Sequence, residues 1–411
     1  MMKHFFPRTC VVPLGLAALL VPVASAQIPE GYEVVTLAND LGIHSRPEIN
    51  NRSEVVWSSA FPPNAADVWL YSGGTIRRIS DPESYDIRPS INNFSAVAWM
   101  RCESFFAEEC QLAVYEKDQA TVVETPFSLD PILNVNDLYQ IIWVHDFSET
   151  FDNVALFRTN LGDGSTVQLT TSELSNQSPR LNSNGDFVWN RFDFSVSPVV
   201  VWVMMSIDGQ QFEITDGTGF PEGVGINDSA QIVFRQFDGT QDVIRVWETG
   251  VVTTIGPGTQ PRISNTGHLT FGRWDEATQI RYQVVRRNGV FRQLPSPLGW
   301  WSAKGDINDI GEVVWREIDP VIGDTRIMML RRIAYPGDFD GDCHISISDF
   351  FDFLGCFTGP IIPPEGLDPQ CAAGDFDEDE DVDFADFSAL QRVFTGPEDT
   401  IDNCVPKGSD G

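Results

Sequence analysis

Near the C-terminal end, oxygen-bearing side chains recur at spacings that could hold a metal ion. Asp338, Asp340, Asp342, Ser346 and Asp349 stand at positions 1, 3, 5, 9 and 12 of a twelve-residue stretch. Asp375, Asp377, Asp379, Asp383 and Asp386 repeat those positions 37 residues on. Position 7 offers a backbone carbonyl, that of His344 and of Asp381. Calcium takes six to eight oxygen ligands, and a twelve-residue loop with acids at these places wraps the ion. The spacing therefore predicts two calcium ions. Position 8 is apolar in both copies, Ile345 and Val382, as a small core between paired loops requires. Position 6, where glycine permits the sharp turn, is Cys343 in one copy and Glu380 in the other.

Each stretch leads into a short helix. Phe350, Phe353, Leu354 and Phe357 fall at helical spacing, as do Phe387, Leu390 and Phe394. Thr-Gly-Pro follows in both copies, at 358–360 and 395–397, and is expected to end the helices. Two such EF-hand-like loop–helix units, with Asp at position 12, resemble the duplicated dockerin type I module. The resemblance covers residues 337–397. It implies a fold built around two calcium ions and docking onto a cohesin-like or other cell-surface protein, in assemblies that often degrade polysaccharides. In that family the partner is read mainly at loop positions 10 and 11. Here these are Ile347-Ser348 and Phe384-Ala385, two unlike pairs that name no particular partner.

The rest of the chain bounds the context. It has 411 residues, 42% of them hydrophobic, and a formal net charge of -32. From Gly337 onward, 19 Asp and Glu face only Arg392 and Lys407. So acidic a chain repels nucleic acid and anionic lipid, since phosphate binding needs clustered Lys and Arg. Residues 1–26 read as a secretion signal: a basic start at Lys3, His4 and Arg8, an apolar run from Val11 to Val23, and the small-residue site Ala24-Ser25-Ala26. That run is too short to span a bilayer, and no membrane span is expected. A secreted, cell-surface or periplasmic location follows. The six cysteines after residue 26 then read as disulfides, with Cys102 and Cys110 stapling one loop. The pairing among Cys343, Cys356, Cys371 and Cys404 is open.

Between these ends a signature recurs seven times, roughly Pro-x-Ile-Asn-x-x-Gly-x-Val-Val-Trp. Its polar turn residue is Asn50, Asn92, Asn136, Asn182, Asn227, Ser264 and Asn308, and an aromatic always stands seven positions later. Asn pairs make tight turns because their side chains bond to nearby backbone and tolerate φ > 0. Val-Val-Trp is a buried strand, and a second hairpin such as Val68–Tyr71, Gly73-Gly74, Thr75–Ile79 follows. Four strands in about 43 residues match a propeller blade. The last unit lacks a fourth strand, which Tyr32 to Leu37 is expected to supply. The copy Ser178-Pro179-Arg180-Leu181-Asn182-Ser183-Asn184-Gly185, followed by Phe187-Val188-Trp189, resembles the repeats of TolB-like propellers. The resemblance covers about residues 30 to 333.

The expected fold is thus mainly β. It comprises a seven-bladed propeller over 27–335 closed by the N-terminal strand, a small α-helical module with two EF-hand-like calcium loops over 336–397, and a tail over 398–411. No H-E-x-x-H or G-x-S-x-G motif appears. The aromatic stripe reads as blade core, and the loop acids Asp193, Asp238 and Asp275 as acidic surface. The expected role is a non-catalytic binding or scaffold protein, with a glycan or protein ligand at the propeller loops. The alternative is a polysaccharide lyase or glycosidase working from those loops.

Overall fold

The computed structural model describes residues 28, 32–40, 42–61, 65–104, 110–125, 130–148, 150, 152–171, 173–287, 289–296, 299–332, 335–339, 344–360, 367, 371, 373–377, 379 and 381–396. The expected signal segment 1–26 and tail 398–411 lie outside them, as do Asp340, Asp342, Cys343, Glu380 and Cys404.

Strands dominate. Five sheets have four strands each, and one has eight. The eight-stranded sheet is two four-strand groups touching through one parallel bridge, Ala66 to Tyr85. The first strands of these groups are Ile43–Ile49, Tyr85–Ile91, Asp130–Val135, Ser175–Leu181, Glu222–Ile226, Thr259–Ile263 and Trp301–Ile307. Each packs against its neighbours before and after, and Trp301–Ile307 packs against Ile43–Ile49. The arrangement is a β-propeller. Strand Tyr32–Ala38 pairs antiparallel with Thr325–Arg332, so the two ends of the repeat region share one sheet. Tyr32 reinforces this clasp by donating its hydroxyl to the Ile310 carbonyl at 2.6 Å, and Glu33 is ion-paired with Arg331.

The aromatic of every signature is core. Trp57, Trp99, Trp143, Trp189, Phe234, Phe271 and Trp315 are all fully buried. Each packs on the sheet before its own. Trp189 meets Ile142, Val144, Val154 and Leu156, and Trp57 meets Val314, Ile327 and Met329 from the far end of the chain. Dispersion and apolar burial thus bind sheet to sheet around the ring.

The turn residues add a polar ring. In six turns the Asn Oδ1 accepts the backbone N–H four residues on, closing its own turn. The same side chain donates Nδ2 to the carbonyl of the next turn residue, at 2.9–3.1 Å: Asn50 to Asn92, Asn92 to Asn136, Asn136 to Asn182, Asn182 to Asn227, and Asn227 to Ser264. Asn308 donates to the Asn50 carbonyl at 3.0 Å and joins the last turn to the first. An amide suits both tasks, because it carries an acceptor and a donor on separate atoms of one rigid plane.

The described disulfides are Cys102–Cys110, the expected loop staple, and Cys356–Cys371. No helix among the described residues is long and apolar enough to cross a membrane.

Candidate metal loops and central cavity

The C-terminal unit contains α1, Ile347–Cys356, and α2, Phe384–Val393. Both begin in a reciprocal capping box. Ser346 accepts from the Ser348 N–H and Asp383 from the Ala385 N–H, so the position-9 residues also serve as helix N-caps. The position-12 carboxylates close their loops. Asp349 accepts from Phe339 N–H at 2.8 Å and Ser346 N–H at 2.9 Å; Asp386 accepts from Phe376 N–H at 2.6 Å and Asp383 N–H at 2.8 Å. Both carboxylates are buried.

The Thr-Gly pairs do more than end helices. Thr358 and Gly359 donate their N–H groups to the Val382 carbonyl, while Thr395 and Gly396 donate to that of Ile345. Each helix end thus grips position 8 of the opposite loop. Ile345, Val382, Phe353 and Leu390 form the small core between them.

In the second loop the carboxylates converge. Ligand oxygens of Asp375, Asp377 and Asp386 lie within 4.8 Å of one another, as do those of Asp381, Asp383 and Asp386. Burial, and then the charges of Asp386, Asp379 and Asp383, push the Asp377 carboxyl up to about 6. Asp381 is raised by burial and by Asp379, Asp383 and Asp386. Its Oδ1 is buried with no hydrogen-bond partner among the described residues. The sequence reading assigned Asp381 only its backbone carbonyl; the fold turns its carboxylate toward Asp383 and Asp386 as well. An all-oxygen donor set with an orphaned buried oxygen and mutually repelling acids fits a hard divalent cation. In the first loop Asp338 and Asp349 are buried, Ser346 bonds Asp349, and Asp340 and Asp342 lie outside the described residues.

Among the propeller loop acids, Asp193, Asp238 and Asp275 accept N–H groups two residues on, at 2.8–2.9 Å, and so shape their hairpins. Hydrogen bonds led by the Thr240 and Thr278 hydroxyls hold Asp238 and Asp275 below the ordinary carboxylate range, the opposite of a general acid. The fold also aligns Ser59, His44 and Asp40. His44 Nδ1 lies 2.6 Å from Ser59 Oγ, and Nε2 lies 3.0 Å from Asp40 Oδ1. Here the acid is exposed while Ser59 is only 1% accessible, so a substrate cannot reach the hydroxyl.

The sequence reading missed the central cavity. Every first strand carries a register shift just before its turn, as at Ser45/Glu48, Ile87/Ser90 and Ala303/Asp306. Such bulges re-aim side chains. Residues of these bulged segments then line a common cavity of about 200 Å³, which holds Arg46, Arg88, Arg180, Arg262 and Lys304. Their recurring offsets were the available signal: Arg46, Arg88 and Lys304 stand four residues before the turn residue, and Arg180 and Arg262 two.

No protein-family model matches the chain, and no curated protein sequence matches it. Solved structures do. The β-propeller domain of the Trilobed protease from Pyrococcus furiosus has a TM-score of 0.55 at 11% identity, covering 71% of this chain and 94% of that one. That domain has an open velcro topology, whereas here the terminal strands pair. Acylaminoacyl peptidase from Pyrococcus horikoshii gives 0.54 at 12%, over 72% of this chain and 52% of the peptidase. Oligogalacturonate lyase from Vibrio parahaemolyticus gives 0.54 at 12%, over 73% of this chain and 96% of the lyase. At such identities the likeness carries the β-propeller fold and nothing finer.

Proposed function

We propose that the chain is an exported, seven-bladed β-propeller, closed by its N-terminal strand, that binds a protein or glycan partner. A dockerin-like C-terminal module would hold it, in a calcium-dependent way, to an extracellular complex or cell surface. Seven turns in one hydrogen-bonded ring support the blade count. The carrying observation for the module is the second loop, where repelling carboxylates and an orphaned oxygen gather as a hard cation would require. Asp375, Asp377, Asp379, Asp381, Asp383 and Asp386 would hold one ion, and Asp338, Asp340, Asp342, His344, Ser346 and Asp349 the other. Calcium would neutralise the loops and fix the helix starts.

The docking face would include the position-10 residues. Ile347 and Phe384 are 60% and 74% exposed, and Phe351 and Leu354 lie exposed on α1. Apolar side chains left in water at such density mark a protein-binding surface. The test is calorimetric titration of the full chain with calcium, with two ions bound per chain expected. Pull-down of surface proteins with and without chelator follows. Absence of calcium binding, or capture that ignores chelation, refutes the tether. Release of new reducing or unsaturated ends from polysaccharides would favour the enzymatic alternative instead.

A further inference from the structure

The cavity among the first strands concentrates positive charge in an acidic protein. Arg46, Arg88, Arg180, Arg262 and Lys304 line it, against the acids Glu48 and Asp306. Glu48 is committed to Arg180, at 2.9 Å. Asp306 accepts the Ile49 N–H at 3.0 Å. Burial and then the charges of Arg88 and Arg180 bring Arg46 down to about 9; burial and then Arg46 and Arg88 bring Lys304 down to about 7. Lys304 keeps an accessible side chain, yet the surrounding wall limits its hydration and neighbouring cations repel it.

Backbone strain is stored at the same places. Arg46, Arg88 and Lys304 have φ of 51°, 58° and 46°, left-handed conformations that side chains with a Cβ rarely adopt. The corresponding residue of the fifth unit is Gly223, with φ 67°. Glycine would meet the geometric need everywhere. Ser178 and Gln260 share this conformation at φ 54°, so the bulge itself imposes it; what sets three of the positions apart is that mutually repelling cations occupy them, facing one cavity.

We infer that this cavity is a binding site for a small, multiply charged oxyanion, of the carboxylate, phosphate or sulfate type. Guanidinium forks match the paired oxygens of these groups. At about 200 Å³ the cavity admits a compact anion, or the acidic end group of a larger ligand, and excludes a folded partner. This deepens the reading of the propeller as the binding unit and is independent of the acidic loops.

The full chain, in calcium-depleted buffer free of chelator, is titrated calorimetrically with citrate, inorganic phosphate and inorganic sulfate, and with glucose as the neutral control. At least one anion binds one to one, more weakly as salt rises, and glucose does not. Lys304→Gln and Arg46→Gln each weaken that binding by about tenfold or more. The preferred anion identifies the ligand's acidic group. Lys304→Gln, at an accessible side chain, keeps the test valid should Arg46→Gln fail to fold. No anion binding, or binding unchanged by a folded variant, overturns the inference. Loss of calcium binding in the C-terminal loops leaves these outcomes unchanged, so the two readings fail separately.

Discussion

Ser264→Asn tests whether the amide ring contributes stability as its geometry indicates. At this turn the hydroxyl accepts only the His268 N–H, at 3.2 Å, beside a contact with Thr266 Oγ1. The other six turn residues accept the equivalent N–H, at 2.9–3.0 Å, and donate to the next turn. Ser264 supplies no such donor; among the described residues the next turn is held instead by Thr266 Oγ1 to the Asp309 carbonyl, at 3.2 Å, and by Asn265, whose N–H and Nδ2 reach the Asp309 carboxylate. An Asn here would add one inter-turn bond to the Asn308 carbonyl and improve one bond within the turn. At roughly 0.5–1.5 kcal/mol net per bond, the variant should gain about 1–2 kcal/mol. The reverse change, Asn92→Ala, removes two N–H acceptors, for Phe94 and Ala96, and the donor to Asn136. It should cost about 3 kcal/mol or more, because buried backbone groups lose their partners. Asn92→Asp keeps the acceptors but aims a carboxylate at a carbonyl, so a loss there isolates the ring bond. The assay is urea unfolding followed by tryptophan fluorescence. All 11 tryptophans precede residue 316, so the signal reports the propeller alone. A neutral or destabilising Ser264→Asn, with Asn92→Asp tolerated, would refute the reasoning.

Trp189→Ala should cost about 3–5 kcal/mol in the same assay, since Trp189 is fully buried and also bonds Asn176 Oδ1 at 2.9 Å. Deleting residues 32–38 should leave Thr325–Arg332 as an open sheet edge and yield aggregation, read by light scattering; a monodisperse, cooperatively unfolding product would contradict the clasp. Asp386→Asn should abolish one calcium ion per chain in calorimetry while leaving the tryptophan-monitored unfolding unchanged. In calcium-free protein Asp377 titrates near 6, above its unfolded value of about 3.9. The folded form therefore retains a proton that the unfolded form has released, so the module gains stability as pH falls from 7 toward 4. Hydrogen-exchange protection factors of α1 and α2, corrected for the intrinsic rate at each pH, should rise accordingly. Calcium binding has the opposite sign, weaker at pH 5.5 than at 7.5, because protons compete for the carboxylates.

Local chemistry was legible in the sequence. The seven-residue interval from turn Asn to aromatic is a short turn followed by a strand, and both depend on neighbouring residues. The loop–helix units are likewise set by spacing within twelve residues and by apolar positions at helical intervals. The pairing of the N-terminal strand with the last sheet could also be anticipated, because the last unit lacked a strand that this segment could supply. What the sequence hid was most of the bonding that crosses between units. Asn92 reads as a turn former, and only the approach of the next turn, 44 residues on, gives its second amide function. Thr358 and Thr395 read as helix stops, until the two units face each other and each grips the opposite loop. Arg46, Arg88 and Lys304 are separate cations in a strongly acidic chain. They become one positive cavity because the bulged first strands converge, and no segment carries that convergence alone.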